Sequence, residues 1–137
     1  MASHEILIKR AYETAARGDG YRVLVDRLWP RGLTKQALLL DDWDKDLAPT
    51  TELRKWFGHE PRLWADFEKR YRKELSSPEQ RERMQELLTI AGPKTLTLVY
   101  GAKDLVHNHA LVLQAELQRI DGAVQPKGKV KRAAAKT

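Results

Sequence analysis

Seven consecutive residues, Asp26-Arg27-Leu28-Trp29-Pro30-Arg31-Gly32, put a carboxylate, two guanidiniums and an indole directly after the apolar run Val23-Leu24-Val25. A guanidinium pairs side-on with a carboxylate or phosphate, and an indole stacks on a flat ring, so the combination suits an anionic ligand with a planar group. Side chains alternate along the strand that carries the cluster, so Asp26 and Leu28 are expected to point one way while Arg27 and Trp29 point the other and flank one ligand. A purely structural reading stands beside this one: Asp26 capping nearby backbone, Arg27 in a salt bridge and Trp29 covering core.

A second cluster, Tyr100-Gly101-Ala102-Lys103-Asp104, is followed by His107-Asn108-His109 at the expected start of a helix. Free N–H groups and the helix dipole favour an anion there and disfavour a protonated imidazole. If the site is catalytic, His107 or His109 is the acid or base and Asp26 the orienting carboxylate. Asn108 is equally explained as a capping residue. Histidines two apart diverge on a helix and do not match the spacing by which helical histidines share zinc, so no metal is expected, and no cofactor is indicated. Arg54, Trp56, Phe57 and His59 surround a helix stop and read as a hydrophobic lid over the core rather than a base-stacking platform.

These clusters have to be held by something. Ile6 and Ile8 on one face, with Leu7 opposite, give a strand within Glu5 to Tyr12, and Gly18-Asp19-Gly20 is a turn. The consecutive apolar residues of Tyr21 to Trp29 give a second strand, covered on both faces and therefore central. Thr34 caps a short helix through Leu40. An ordered loop then leads to a short helix capped by Thr50 or Thr51 and stopped by Gly58. Trp64, Phe67, Tyr71 and Leu75 form one helical stripe; Ser77-Pro78-Glu79-Gln80 opens the next helix, whose apolar face is Met84, Leu87, Leu88 and Ala91. Leu96, Leu98 and Tyr100 alternate along a further strand, and a last helix runs from about Val106 to Ile120.

The order strand, helices, strand, helix predicts a single-domain α/β fold, a small mostly parallel sheet of about three strands flanked by helices. The position of the first strand is open, because the connection after it is too short for a full crossover helix. Ligands of such sheets bind beyond the carboxyl ends of the strands, so both polar clusters should share one rim.

Composition narrows the function classes. The 137 residues suit one domain, and 42% apolar with 32% charged residues suits a globular chain with a heavily solvated exterior. Cysteine is absent, which removes disulfides, thiolate metal sites and thiol catalysis. No signal-peptide pattern and no apolar run of about 20 residues is present, so the expectation is a cytoplasmic protein with no membrane partner. Part of the net charge of +6 sits in the basic stretch Lys127 to Lys136, expected to be a disordered tail over 124–137 behind a domain of 1–123. Glycine-rich dinucleotide and phosphate loops and the nucleophile elbow are missing.

The stretches RVLVDRLWPRGLTK, DLAPTTELRKWFGH and LVYGAKDLVHNHALVL together resemble the YeaO-like family of uncharacterised bacterial proteins, a numbered domain of unknown function (DUF488). The resemblance runs from about Ile6 to Leu117, implies a small cytosolic α/β protein and names no reaction. Its signature positions include Asp26, Arg27, Trp29, Pro30, Arg31, Gly32, Arg54, His59, Tyr100, Asp104, His107, Asn108 and His109. Gly101 departs from the aliphatic or alanine residue usual after the tyrosine, which could loosen the strand end.

The resulting expectation is a pocket for a small anionic, nucleotide-like ligand. Arg27, Trp29, Arg31, Tyr100, Lys103 and Asn108 would bind it, with His107, His109 and Asp26 as the catalytic candidates. The alternative is a nucleic-acid-binding accessory protein that uses the tail and the rim arginines. Oligomeric state is not legible in one chain.

Overall fold

The computed structural model describes residues 4–123. Four strands form one parallel sheet: β1 (Ile6–Arg10), β2 (Tyr21–Leu24), β3 (Asp42–Trp43) and β4 (Leu96–Tyr100), in spatial order β1-β4-β2-β3. β4 is inserted between the first two, pairing Ile6 with Leu96 on one side and Tyr21 with Leu96 on the other. The first strand is therefore at an edge. Its connection to β2, residues 11–20, must return along a strand and step past β4, roughly 26 Å in all. Ten extended residues reach about 33 Å, so no crossover helix is needed.

The helices are α1 (Lys35–Leu38), α2 (Thr51–Phe57), α3 (Trp64–Leu75), α4 (Pro78–Ala91) and α5 (His109–Ala123). Alternation along β4 divides the interior. Leu96, Leu98 and Tyr100 join Val23 and Val25 in the large core built with α2 to α5, whereas Val99 and Leu24 face the smaller cluster under α1. Val23, Leu24 and Val25 have no exposed surface, as expected of a strand covered on both faces.

Two expected elements change. β3 lies inside the segment expected to be loop; it pairs with only Val23 and Leu24 of β2, and Asp41 supports it by accepting the Arg22 N–H at 2.8 Å. The last helix starts at His109, not Val106, because the Asn108 side chain accepts the Leu111 N–H at 3.1 Å and caps it. Val106 is consequently 64% exposed rather than on the buried stripe.

A buried ionic cluster fastens the β1–β2 connection. Asp19 takes Arg22 at 2.7 Å and Lys9 at 3.1 Å, and Arg22 also donates to the Leu38 carbonyl at the end of α1. Burial pushes the Asp19 carboxyl up, but the Ala16 N–H and the two cations more than offset that, leaving it below its ordinary range. Among the described residues no helix is long and apolar enough to cross a membrane. The expected basic tail lies outside the described residues.

A cationic cleft at the carboxyl rim of the sheet

Three segments converge beyond the carboxyl ends of the strands and enclose a cleft of about 280 Å³. The loop after β2 supplies Asp26 to Arg31, the approach to α2 and its end supply Ala48, Pro49, Arg54, Phe57 and His59, and the loop after β4 supplies Gly101, Ala102 and His107 to His109. That volume lies at the small end of the range for ligand sites.

Backbone alternation does not organise the first segment, because β2 ends at Leu24. Side chains hold it instead. Trp43 Nε1 donates to the Asp26 carbonyl at 2.7 Å, and Trp43 meets Trp29 edge-on with centroids 5.4 Å apart. Trp29 Nε1 in turn donates to the Leu33 carbonyl at 2.7 Å, closing the Pro30-Arg31-Gly32 turn. Arg27 points across to the α2 approach, donating to the Pro49 and Ala48 carbonyls at 3.0 and 3.1 Å. It is a strut between two cleft walls. Tyr12 lines the opening and holds the Arg31 carbonyl through its hydroxyl at 2.9 Å.

Asp26 ties the β2 and β4 loops together. Its Oδ2 accepts the Gly101 N–H at 2.9 Å, and its Oδ1 lies 3.1 Å from His109 Nε2. The same Nε2 is 3.0 Å from the Val25 carbonyl. A carbonyl only accepts, so Nε2 carries the proton and His109 spends it on the β2 end. Gly101 is where a side chain would intrude: a Cβ there would sit 3.0 Å from Asp26 Oδ2. The glycine does not loosen the strand end. Its N–H goes to Asp26, and its carbonyl and that of Ala102 accept from Arg10 at 3.3 and 2.8 Å.

Asn108 is fully engaged in local structure, capping α5 and donating to the Asp104 carbonyl at 2.8 Å. His107 pairs through Nδ1 with Asp104 Oδ2 at 2.9 Å, while Asp104 Oδ1 accepts the Val106 and His107 N–H groups. The Val106 N–H foremost, then the His107 ring, holds the Asp104 carboxyl below its ordinary range. The two histidines thus pair with different carboxylates.

Of the nine residues singled out from sequence, seven line the cleft: Asp26, Arg27, Trp29, Arg31, His107, Asn108 and His109. Tyr100 is 2% exposed and packs in the large core, and Lys103 is exposed; neither is on the cleft wall. Arg54 and His59 are on that wall, and their part was hidden in the lid reading of the α2 end. Phe57 alone fits that reading, stacked on Phe67 at 4.4 Å. Trp56 faces away under the Arg70 guanidinium at 4.2 Å. Gly58 and His59 both adopt left-handed backbone, φ 55° and 59°, and this turn carries His59 out to the cleft. The signal was the motif's shape: an arginine one turn before a glycine stop with a polar ring just after it.

The cleft wall carries three arginines and one carboxylate. Arg27 is committed to carbonyls and Asp26 to the Gly101 N–H, its other oxygen lying 3.1 Å from His109 Nε2 without a hydrogen bond, whereas Arg31 and Arg54 have no acidic partner among the described residues. The walls between them are apolar, from Pro30, Pro49, Phe57 and Phe67.

A family profile described as the inactive DUF488-N3 subclade matches residues 5–131. The chain belongs to the YeaO-like DUF488 family. The uncharacterized protein YeaO of Escherichia coli strain K12 is 51% identical over 108 residues, which are 79% of this chain and 92% of that protein. The uncharacterized protein Rv3073c of Mycobacterium tuberculosis H37Rv is 37% identical over 108 residues, 79% of this chain and 89% of its own length. No solved structure matches the chain. Family membership accounts for the motifs of this DUF488 domain but attaches no reaction to its cleft.

Proposed function

We propose that the cleft binds a small anionic ligand with a planar, nucleotide-like ring. The observation that carries this reading is the pair of arginines, Arg31 and Arg54, on a concave wall without acidic partners among the described residues. An anion in the cleft gains charge-assisted hydrogen bonds from guanidiniums that no carboxylate occupies. A flat ring suits the apolar floor of Phe57 and Phe67 between the proline edges. Asn108 shapes the cleft rather than touching the ligand, since both ends of its amide are taken, whereas Trp29 spends only its Nε1 on the Leu33 carbonyl and keeps its ring on the cleft wall. The subclade's description as inactive favours binding over turnover, so the role is that of a sensor or carrier.

The test is a thermal-shift screen of nucleotides, nucleosides, sugar phosphates and divalent metals on the natural protein and on Arg54→Ala. A ligand at a hundred times its dissociation constant stabilises a fold by roughly 2.7 kcal/mol, and Arg54→Ala should remove that gain. A response only to short DNA or RNA at low salt, lost when the chain is ended at Ala123, would move the function to nucleic-acid binding through the basic tail.

A further inference from the structure

Asp104 and His107 are arranged differently from Asp26 and His109. His109 turns its proton-bearing Nε2 to the Val25 carbonyl and Asp26, so that atom is occupied. His107 turns Nδ1 to Asp104 Oδ2 at 2.9 Å. An ionised carboxylate accepts and cannot donate, so Nδ1 holds the proton and the neutral ring keeps its lone pair on Nε2. Three contacts fix the ring: Asp104 Oδ1 takes the His107 backbone N–H at 3.0 Å, Oδ2 takes the ring, and Trp64 meets the ring edge-on at 5.5 Å. His107 lines the cleft, its side chain is 31% exposed, and Nε2 has no hydrogen-bond partner among the described residues.

We propose that Asp104 and His107 form a hydrogen-bond-accepting dyad on the cleft wall, and that the ligand presents a hydroxyl or N–H group to His107 Nε2 while the arginines hold its anion. The second half rests on the reading of the cleft as an anion site; the first half stands without it. Asp104 is a positioning residue that touches no ligand: it sets which ring nitrogen accepts. The ligand class narrows accordingly to compounds carrying both an anionic group and a separate donor, as a nucleoside monophosphate does and a simple aryl phosphate does not. The three arginines sharing the wall, Arg27, Arg31 and Arg54, would repel an ammonium donor, which leaves hydroxyls and neutral amines.

Long-range proton–nitrogen correlation spectra of the full chain at about pH 8 read the tautomer of each of its four histidines. His107 is expected as the Nδ1–H form and His109 as the Nε2–H form, opposite tautomers within one cleft. In Asp104→Asn the amide oxygen can still accept the Val106 and His107 N–H groups while its NH₂ faces Nδ1, so His107 should invert to the Nε2–H form. Titrations with adenosine monophosphate and phenyl phosphate complete the test. Asp104→Asn should weaken the nucleotide by roughly tenfold, the worth of one hydrogen bond, and leave phenyl phosphate unchanged. His107→Gln, checked for an unchanged melting temperature, should weaken the nucleotide selectively as well. An Nε2–H His107 in the natural protein, or a tautomer indifferent to Asp104→Asn, overturns the dyad whether or not anything binds. The expected tautomers with neither compound binding would support the dyad and overturn the anion reading together with the ligand half of the proposal.

Discussion

Replacing Arg27 with alanine should cost stability whatever the cleft binds. The guanidinium donates to the Pro49 and Ala48 carbonyls, both in buried residues, from the opposite wall. Truncation leaves two acceptors without donors, and each buried unsatisfied acceptor costs about 1–3 kcal/mol. Water entering the cleft can satisfy the more accessible one, so the expected loss is about 2–3 kcal/mol. At about 4 °C per kcal/mol for a domain of this length, the melting temperature should fall by about 8–12 °C. Arg27→Lys should recover less than half, since a single ammonium lacks the fork that reaches both carbonyls. Urea unfolding gives the free energy directly, and its slope should stay unchanged because the folded surface is the same. A loss under about 0.5 kcal/mol for Arg27→Ala would refute the strut. It follows that ligand binding is better probed at Arg54, whose side chain makes no ion pair among the described residues, than at Arg27.

Other perturbations read other parts of the structure. Gly101→Ala would push the Asp26 carboxylate away and lengthen its bond to the strand end, lowering the urea midpoint by the equivalent of about 1 kcal/mol; Gly101→Ser should do at least as much. Asp44 is raised to about 6, by burial first and then by Asp42 and Asp46. A raised carboxyl binds protons more readily folded than unfolded, so this contribution to stability is intact below about pH 4 and is lost as pH rises to about 6. Asp44→Asn should therefore stabilise the protein at pH 8 by about 1–2 kcal/mol, after allowance for partial exposure, and flatten that slope in melting temperatures across the window. Asp19 has the opposite sign: lowered when folded, it stabilises above its unfolded value and loses that contribution as acid protonates it. Asp19→Asn should cost about 3–5 kcal/mol at neutral pH by stranding the buried Arg22, measured by the shift in its denaturant midpoint.

The fold was legible where apolar spacing decided it. Val23-Leu24-Val25, the alternation of Leu96, Leu98 and Tyr100, and the stripe of Trp64, Phe67, Tyr71 and Leu75 each read as they stand. β3 was not legible: Asp42–Trp43 has no apolar run of its own, and its pairing depends on Asp41 and Arg22, 19 residues apart. The start of α5 was a choice between Val106 as the first buried position and Asn108 as a cap, and the Asn108 amide, accepting from the Leu111 N–H and donating to the Asp104 carbonyl, decided for the cap. At the cleft, residue types were readable but their commitments were not. Sequence could not distinguish an arginine spent on Ala48 and Pro49 from one left without an acidic partner on the same wall. Nor could it show that His107 and His109 face different carboxylates.

The central claim is that the cleft binds an anion through Arg31 and Arg54, and calorimetric titration with nucleoside monophosphates tests it most directly. The account predicts one site per chain, weakened at least tenfold in Arg31→Ala and in Arg54→Ala, both of which keep the natural melting temperature, and unaffected when the chain ends at Ala123. Equal affinity in all three variants, or heat from oligonucleotides alone that disappears with the tail, would contradict it.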